Sequence, residues 1–511
     1  MLLSRLESLL QVLPPADRNL FVGCLSPHAL RNLLGTNKAI HTLIRGTDAY
    51  WQTAYTQQFA WPYVAQEEDL LQWHRSMHGT DTFRWQHAYH YRKHLEQCLR
   101  EGKLVHQAVQ LPQLSNHYWH VAAACAAGFL VLARNRQSIA PDTVYLIRTS
   151  RACHPAHAVA DERETSSALV ATKLTATAAM EGIEQTSYFI SHDYIVIASR
   201  TALFVWRMES DVLHNTYTLD SAISVVSMRG QWVLLEQQQH QHLLLNLATG
   251  DRLPCSVPVI AEHPSSPMTI HEQTPIHIED VDANGVLLYC NNSRHPRPSD
   301  ALHWSLCRVD VATGTTLMVR HGMCDTGMSV LGHFAFRRLG ARLVAWHFRL
   351  ANTQRRTMAI HTIRTTTSSH RAGKQTVLTF QGAHAMHRVA RHRLLIQFRQ
   401  RITLFSLTTR DTIFSWVHPP TIGPCTPIIG LYWLVYDIER DEDGVRSYAA
   451  ITELGLARTA NDDVAPVWRE PHKELRLHEV SAANQVFVTP TGMLHCTEDL
   501  SHIAYYRVAS Q

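Results

Sequence analysis

The chain has 511 residues, of which 45% are apolar and 18% charged, a globular balance that excludes wholesale disorder and allows a sizeable core. A formal net charge of +4, from 47 Lys plus Arg against 43 Asp plus Glu, offers no concentrated basic face for nucleic acid. The 10 Cys form no C-x-x-C pair, and several sit inside apolar runs, as Cys125 and Cys290 do, so reduced buried thiols are expected in place of a disulfide framework.

The first segment, Met1 to Leu13, carries Arg5 and Glu7 and reads as an amphipathic helix, not a leader. Residues 13–55 then divide into short helices. Leu13-Pro14-Pro15 breaks the first helix and starts another, since Pro suits a first helical turn. Leu20, Phe21, Cys24 and Leu25 line one face. Ser26-Pro27 restarts the chain, Leu30, Leu33 and Leu34 form the next face, and Ile40, Leu43 and Ile44 a third. Asp48 stands where a cap is needed before Trp51, Tyr55 and Phe59, which recur every four residues. So small a bundle does not easily bury every Leu face, and a leftover apolar face implies docking to a partner or to the rest of the chain.

A second helical stretch runs through Trp85, Tyr89, Leu95 and Leu99 to Gly102, with Trp85 and Tyr89 expected to pack against the start of the next domain. No run approaches the roughly 20 apolar residues of a membrane span, the longest candidate being 121–133. The expected setting is cytoplasmic, nuclear or both.

From about Leu111 the texture changes to paired apolar runs. Hairpins are predicted at 129–147, 193–208, 232–247, 286–311, 343–363, 393–407, 431–454 and 486–508, about one per 50 residues. Repetition at that spacing predicts an all-β propeller of 7 or 8 blades, whereas a double β-sandwich is the alternative. Two hairpins end alike, at Ala248-Thr249-Gly250 and Ala312-Thr313-Gly314, which also suggests repeats. The division is a helical module at 1–60, a helical linker at 61–110 and the propeller-like domain at 111–511.

Chemistry-bearing motifs are scarce. There is no Gly-rich phosphate loop, no His-Glu-x-x-His and no Gly-x-Ser-x-Gly. His240 and His242 would share a strand face and His384 and His387 a helix or turn face, but neither pair has further ligands at a metal-binding spacing. Asp437 to Asp443 lacks the alternating oxygens of a calcium loop and reads as a hairpin tip. No metal, cofactor or catalytic residue is assigned.

In order and spacing, Leu13-Pro14, Leu25-Ser26-Pro27, Leu30, Leu33 and Trp51 resemble the F-box. That family usually has Glu two residues after the Pro, followed by apolar residues, where this chain has Ala16, Asp17 and Arg18. Phe83 to Tyr89, followed by Leu95, Leu99 and Gly102-Lys103, is similar to the linker helix of F-box proteins that carry propellers. The resemblance implies a non-catalytic substrate receptor of a ubiquitin ligase. Leu13, Pro14, Leu20, Phe21, Leu25, Pro27, Leu30, Leu33, Leu34 and Trp51 would then bind a Skp-type adaptor, and through it a cullin-RING ligase. The propeller would hold an unidentified protein substrate. For Trp51, an internal core role remains equally open. The alternatives are a propeller scaffold in another complex and a propeller hydrolase.

Overall fold

A computed structural model describes residues 2–25, 27–35, 38–59, 65–78, 82–101, 103–112, 117–135, 143–149, 169–174, 185–199, 202–210, 212–218, 224–236, 242–255, 276–282, 285–291, 302–324, 334–338, 343–351, 356–364, 376–381, 383–390, 393–398, 400–406, 408–417, 422–430, 432–441, 444–458, 464–468, 485–496 and 503–508. The chain opens with seven helices among them: α1 (Leu2–Val12), α2 (Pro15–Cys24), α3 (Pro27–Leu34), α4 (Lys38–Arg45), α5 (Asp48–Phe59), α6 (Ala65–His78) and α7 (Trp85–Glu101). Pro15 takes the first turn of α2, where its missing N–H costs nothing, and Asp17 in the same turn complements the helix dipole.

Antiparallel strands follow in groups of four. β1 (Leu104–Gln110) comes directly after the helices. The first unit is β2 (His117–Cys125), β3 (Gly128–Asn135), β4 (Thr143–Arg148) and β5 (Leu169–Lys173). The second is β6 (Gln185–Ile190), β7 (Tyr194–Ser199), β8 (Ala202–Arg207) and β9 (Leu213–Thr218). The third is β10 (Ser224–Arg229), β11 (Trp232–Glu236), β12 (His242–Asn246) and β13 (Arg252–Cys255). The fourth is β14 (Ile276–Asp282), β15 (Gly285–Asn291), β16 (Leu302–Val309) and β17 (Thr316–Cys324). The fifth is β18 (Phe334–Arg338), β19 (Leu343–Ala351), β20 (Arg356–Arg364) and β21 (Thr376–Gln381). The sixth is β22 (Ala383–Ala390), β23 (Arg393–Phe398), β24 (Arg401–Ser406) and β25 (Thr412–Val417). The seventh is β26 (Ile422–Ile429), β27 (Tyr432–Asp441), β28 (Gly444–Arg458) and β29 (Val464–Trp468). Last come β30 (Gln485–Thr489), β31 (Gly492–Cys496) and β32 (Ile503–Val508).

Six of these groups are separate four-stranded sheets, and the remaining strands form one eight-stranded sheet in the order β2-β3-β4-β5-β1-β32-β31-β30. β1 pairs antiparallel with β32, from Leu104 opposite Val508 to Ala108 opposite Ala504. It therefore serves as the fourth strand of the last unit. Its final residues, Val109 and Gln110, pair parallel with Leu169 and Val170 of β5, joining the last unit to the first. The linker of the sequence reading thus ends at Lys103: residues 104–110 belong to the sheet, because the last unit supplies only three strands and its outer edge needs a fourth.

First strands of neighbouring units touch: β26 meets β30, β30 meets β2, β2 meets β6, β6 meets β10 and β10 meets β14. The last unit therefore closes on the first. This is a β-propeller, not a sandwich of two facing sheets. Alternation along the second strand of a unit divides its side chains between two cores. Phe129, Val131 and Ala133 of β3 pack toward Leu494 and Tyr505 of the last unit, whereas Leu130 and Leu132 pack toward Ile195 and Phe204 of the second. Val233 and Leu235 of β11 join Val196 and Val205, and Trp232 and Leu234 join Val286 and Leu288. β7 is buried along its whole length, as a strand covered on both faces must be.

Three third-to-fourth strand turns share one design. They begin at Asn246, Asp310 and Ser406. In each, the backbone N–H four residues on (Gly250, Gly314, Arg410) donates to the first residue's carbonyl at 2.8–2.9 Å. The first residue's side-chain oxygen accepts from the turn's own backbone: from Ala248 at Asn246, from Ala312 and Thr313 at Asp310, and from Thr409 at Ser406. The fifth position is left-handed each time, with φ 81°, 69° and 65°. The two Ala-Thr-Gly endings are thus one repeated turn, and Thr409-Arg410 is a third copy that lacks the glycine. His384 and His387 lie on β22, a strand where the sequence suggested a helix or turn; His240 lies outside the described residues.

Arg410 holds a left-handed backbone that costs an L side chain about 1 kcal/mol. Arg410→Gly is expected to raise stability in thermal unfolding by about 0.5 kcal/mol, since glycine's greater unfolded freedom offsets part of the relief. Gly314→Ala is expected to lower it by about 1 kcal/mol, because a Cβ there would make only ordinary contact with Leu253 and the backbone penalty stands alone.

Candidate functional site

α1 to α5 form a small bundle around Leu10, Val22, Leu30, Ile40 and Ile44. Nine of the ten residues expected to bind an adaptor separate into three groups. Leu30 is 4% exposed and Trp51 7% exposed, so both lie in internal cores. Leu13, Phe21, Leu25, Leu33 and Leu34 are half-buried and pack against the bundle core with one flank still in solvent. Leu20 is 68% exposed, and Pro14 is exposed at the start of α2. Pro27 begins α3. Two exposed residues of α1, Leu9 at 51% and Val12 at 83%, were not singled out in the sequence because α1 precedes the Leu-Pro start of the motif. Ala16 and Asp17 are exposed, and Arg18 turns back to donate to the Leu13 carbonyl at 3.1 Å.

Trp51 belongs to an aromatic core between α5 and α7, with Tyr55, Phe59, Leu71, Trp85 and Ala88. Its indole N–H donates to the Arg45 carbonyl at 2.9 Å, and its ring lies 5.2 Å from Tyr89 and 5.0 Å from His90. Trp85 and Tyr89 therefore pack on α5 and not on the first blade. The ring-facing side of α7 is instead Tyr91, Leu95, Cys98 and Leu99, a rotation around the same helix. Asp48 caps a helix other than its own: its Oδ1 accepts from the Trp85 backbone N–H at 2.7 Å, the first residue of α7.

A buried ionic cluster ties these helices together. Arg92 Nε donates to both oxygens of Glu67, at 2.8 and 3.1 Å, and each side chain is 1% exposed. Tyr55 O–H donates to Glu67 at 3.0 Å, and the guanidinium sits 4.6 Å from the centre of the Phe59 ring. Burial pushes the Glu67 carboxyl above its ordinary range, against the pull of Arg92. Burial alone would lower Arg92, but the carboxylates of Glu67 and Glu96 outweigh it and hold the guanidinium above its ordinary value. Burial, reinforced by Glu67, raises the Tyr55 phenol well above its usual range. The sequence did carry a signal here. Arg92 interrupts the stripe Trp85, Ala88, Leu95, Leu99, and a cation inside an apolar stripe requires a buried carboxylate.

On the ring side, Asp69 of α6 accepts the Ala126 backbone N–H with both oxygens, at 3.2 and 3.1 Å, and meets His192 Nε2 at 2.7 Å. Ala126 lies in the β2–β3 turn and His192 in the β6–β7 turn. The Ala126 carbonyl accepts from Thr149 at 2.8 Å and from Thr491, in the β30–β31 turn, at 2.9 Å. Arg92 lies against Gly430 in the β26–β27 turn, where an added Cβ would sit 3.2 Å from its Nη2. Every turn gripped joins the first strand of a unit to the second. Leu70, Trp73, Tyr91, Leu95 and Leu99 share one core with Ile195, Ile428, Met493 and Tyr506. The helices thus seat on one end of the ring. In an antiparallel sheet, the turns between second and third strands stand at the other end.

Among the described residues no three His, Cys, Asp or Glu side chains group as a metal site, and no helix is long and apolar enough to cross a membrane. No family model and no curated protein matches the chain. Among solved structures it is similar to BamB from Moraxella catarrhalis, at 13% identity and TM-score 0.31, over 64% of this chain and 99% of that one. It is also similar to Kluyveromyces lactis Hsv2, at 11% and 0.35 over 68% and 95%. A third is the WD40 domain of SCAP from fission yeast, at 8% and 0.38 over 64% and 85%. These likenesses are distant, and the propeller assignment stands on the chain's own strand pairing.

Replacing one member of the buried pair, by Arg92→Met or Glu67→Met, is expected to cost about 3–5 kcal/mol in denaturant unfolding, because it strands a buried charge. The double change is expected to cost less than the sum of the singles. Burial pushes the thiols of Cys125 and Cys255 up to about 12. Peptide mapping after alkylation at mildly alkaline pH should therefore find exposed Cys24 modified, and Cys125 and Cys255 modified only after unfolding.

Proposed function

We propose that this chain is a non-catalytic receptor that presents a protein substrate. In this reading the α1–α5 module docks a Skp-type adaptor of a cullin-RING ubiquitin ligase, and an eight-bladed propeller holds the substrate. The observation that carries the reading is the division of labour at the junction. α6 and α7 sit on the first-turn end of the ring, over its last two and first two units, while exposed Leu9, Val12 and Leu20 and the half-buried flanks of Phe21, Leu33 and Leu34 leave apolar surface on the helical module. The substrate then meets the opposite end, where the turns between second and third strands stand. Such a receptor acts by raising effective concentration and fixing orientation, and supplies no reacting group.

A second reading, a propeller scaffold outside any ligase, is favoured by the burial of Leu30 and Trp51, which removes two of the expected adaptor contacts. Co-purification with a Skp-type adaptor separates the two. Association of the wild type is expected, weakened by about tenfold or more in Leu20→Asp combined with Val12→Asp, with the melting temperature unchanged because both side chains are exposed. A wild type that does not associate overturns the ligase reading.

A further inference from the structure

The ring has one seam, between its last unit and its first, where β1 pairs with β32 on one side and with β5 on the other. The helices are centred on that seam. Arg92 lies against Gly430 in the seventh unit, and Leu99 and Tyr91 share a core with Met493 and Tyr506 in the last. Asp69 holds Ala126 of the first unit and His192 of the second. Two units are thus gripped on each side of the closure. The closing strand is also continuous with the helical arm: α7 ends at Glu101 and β1 begins at Leu104, while the Lys103 N–H donates back to the Cys98 carbonyl at 2.9 Å.

We propose that α6 and α7 are a strap across the closing seam, so that seating of the helices and closure of the ring form one cooperative state. Asp69 is the residue that positions it, because a single carboxylate joins α6 to two units. The Ala126 carbonyl, which accepts from Thr491 of the last unit, carries the same residue's contact across the seam. A displacement of the helices then loosens β1 and β32 before it affects blades elsewhere in the ring. This inference concerns the coupling alone and holds for a ligase receptor or a scaffold.

Hydrogen exchange on the full chain tests it, with Asp69→Ala and the milder Asp69→Asn, which keeps an acceptor for the Ala126 N–H. Exchange in 104–110 and 503–508 is expected to rise by about tenfold in Asp69→Ala and by less in Asp69→Asn, with residues 232–236 and 242–246 of the third unit unchanged. A disulfide between Val105→Cys and Arg507→Cys, placed at paired register positions of β1 and β32, is expected to restore protection at the seam in the Asp69→Ala background. An unchanged seam overturns the strap. So does a uniform rise around the ring, or a loosened seam that the disulfide fails to restore.

Discussion

A strand that is apolar on both faces has to find a sheet on each side of it, and the architecture follows from that demand. Val196 and Ile197 of β7, or Val233 and Leu234 of β11, point in opposite directions and are all fully buried. A single sheet leaves half of such residues in water, and a two-layer sandwich covers one face of each sheet only. A ring covers both faces of every sheet, provided that the last unit meets the first. Closure is therefore the condition on which the outer faces of the first and last units depend, and β1 supplies it.

The helical arm solves a different problem. α7 carries an aromatic side for α5 and an aliphatic side for the ring, and a cation near the junction of the two. Arg92 is approached by negative charge or ring face from three directions, by Glu67, by Glu96 and by Phe59. A buried ion pair gives little net stability over an apolar substitute, but breaking its geometry leaves a buried charge uncompensated. That geometric strictness suits a joint between two bodies that must keep a fixed relation.

The hairpins legible in the sequence are the second and third strands of the units, such as β7–β8, β11–β12 and β23–β24. These are the strands covered on both faces, so their runs are nearly all apolar. First and fourth strands were harder to see. β9 reads Leu-His-Asn-Thr-Tyr-Thr, with a single buried residue, because its place at the rim leaves it mostly in water. β1 is not separable from the linker in the sequence for a related reason: its partner lies at the far end of the chain, and no local pattern announces such a pairing. In the candidate site, helix order and the Pro breaks were legible. The burial of Leu30 and Trp51 was not, since an apolar residue at helical spacing looks the same whether it faces a core or a partner. Asp69 and His192 had no local signature at all, being 123 positions apart.

The identity of the closing strand has a consequence for synthesis. β1 leaves the ribosome before any blade, yet its main partner β32 is made last, about 400 residues later. Throughout that interval the nascent chain carries a strand with an open edge, a template for mispairing with other chains. The helices that precede β1 are complete by then and need only local contacts to form. They hold the start of the waiting strand, since the Lys103 N–H donates to the Cys98 carbonyl of α7, so one end of β1 is fixed before the final hairpin arrives.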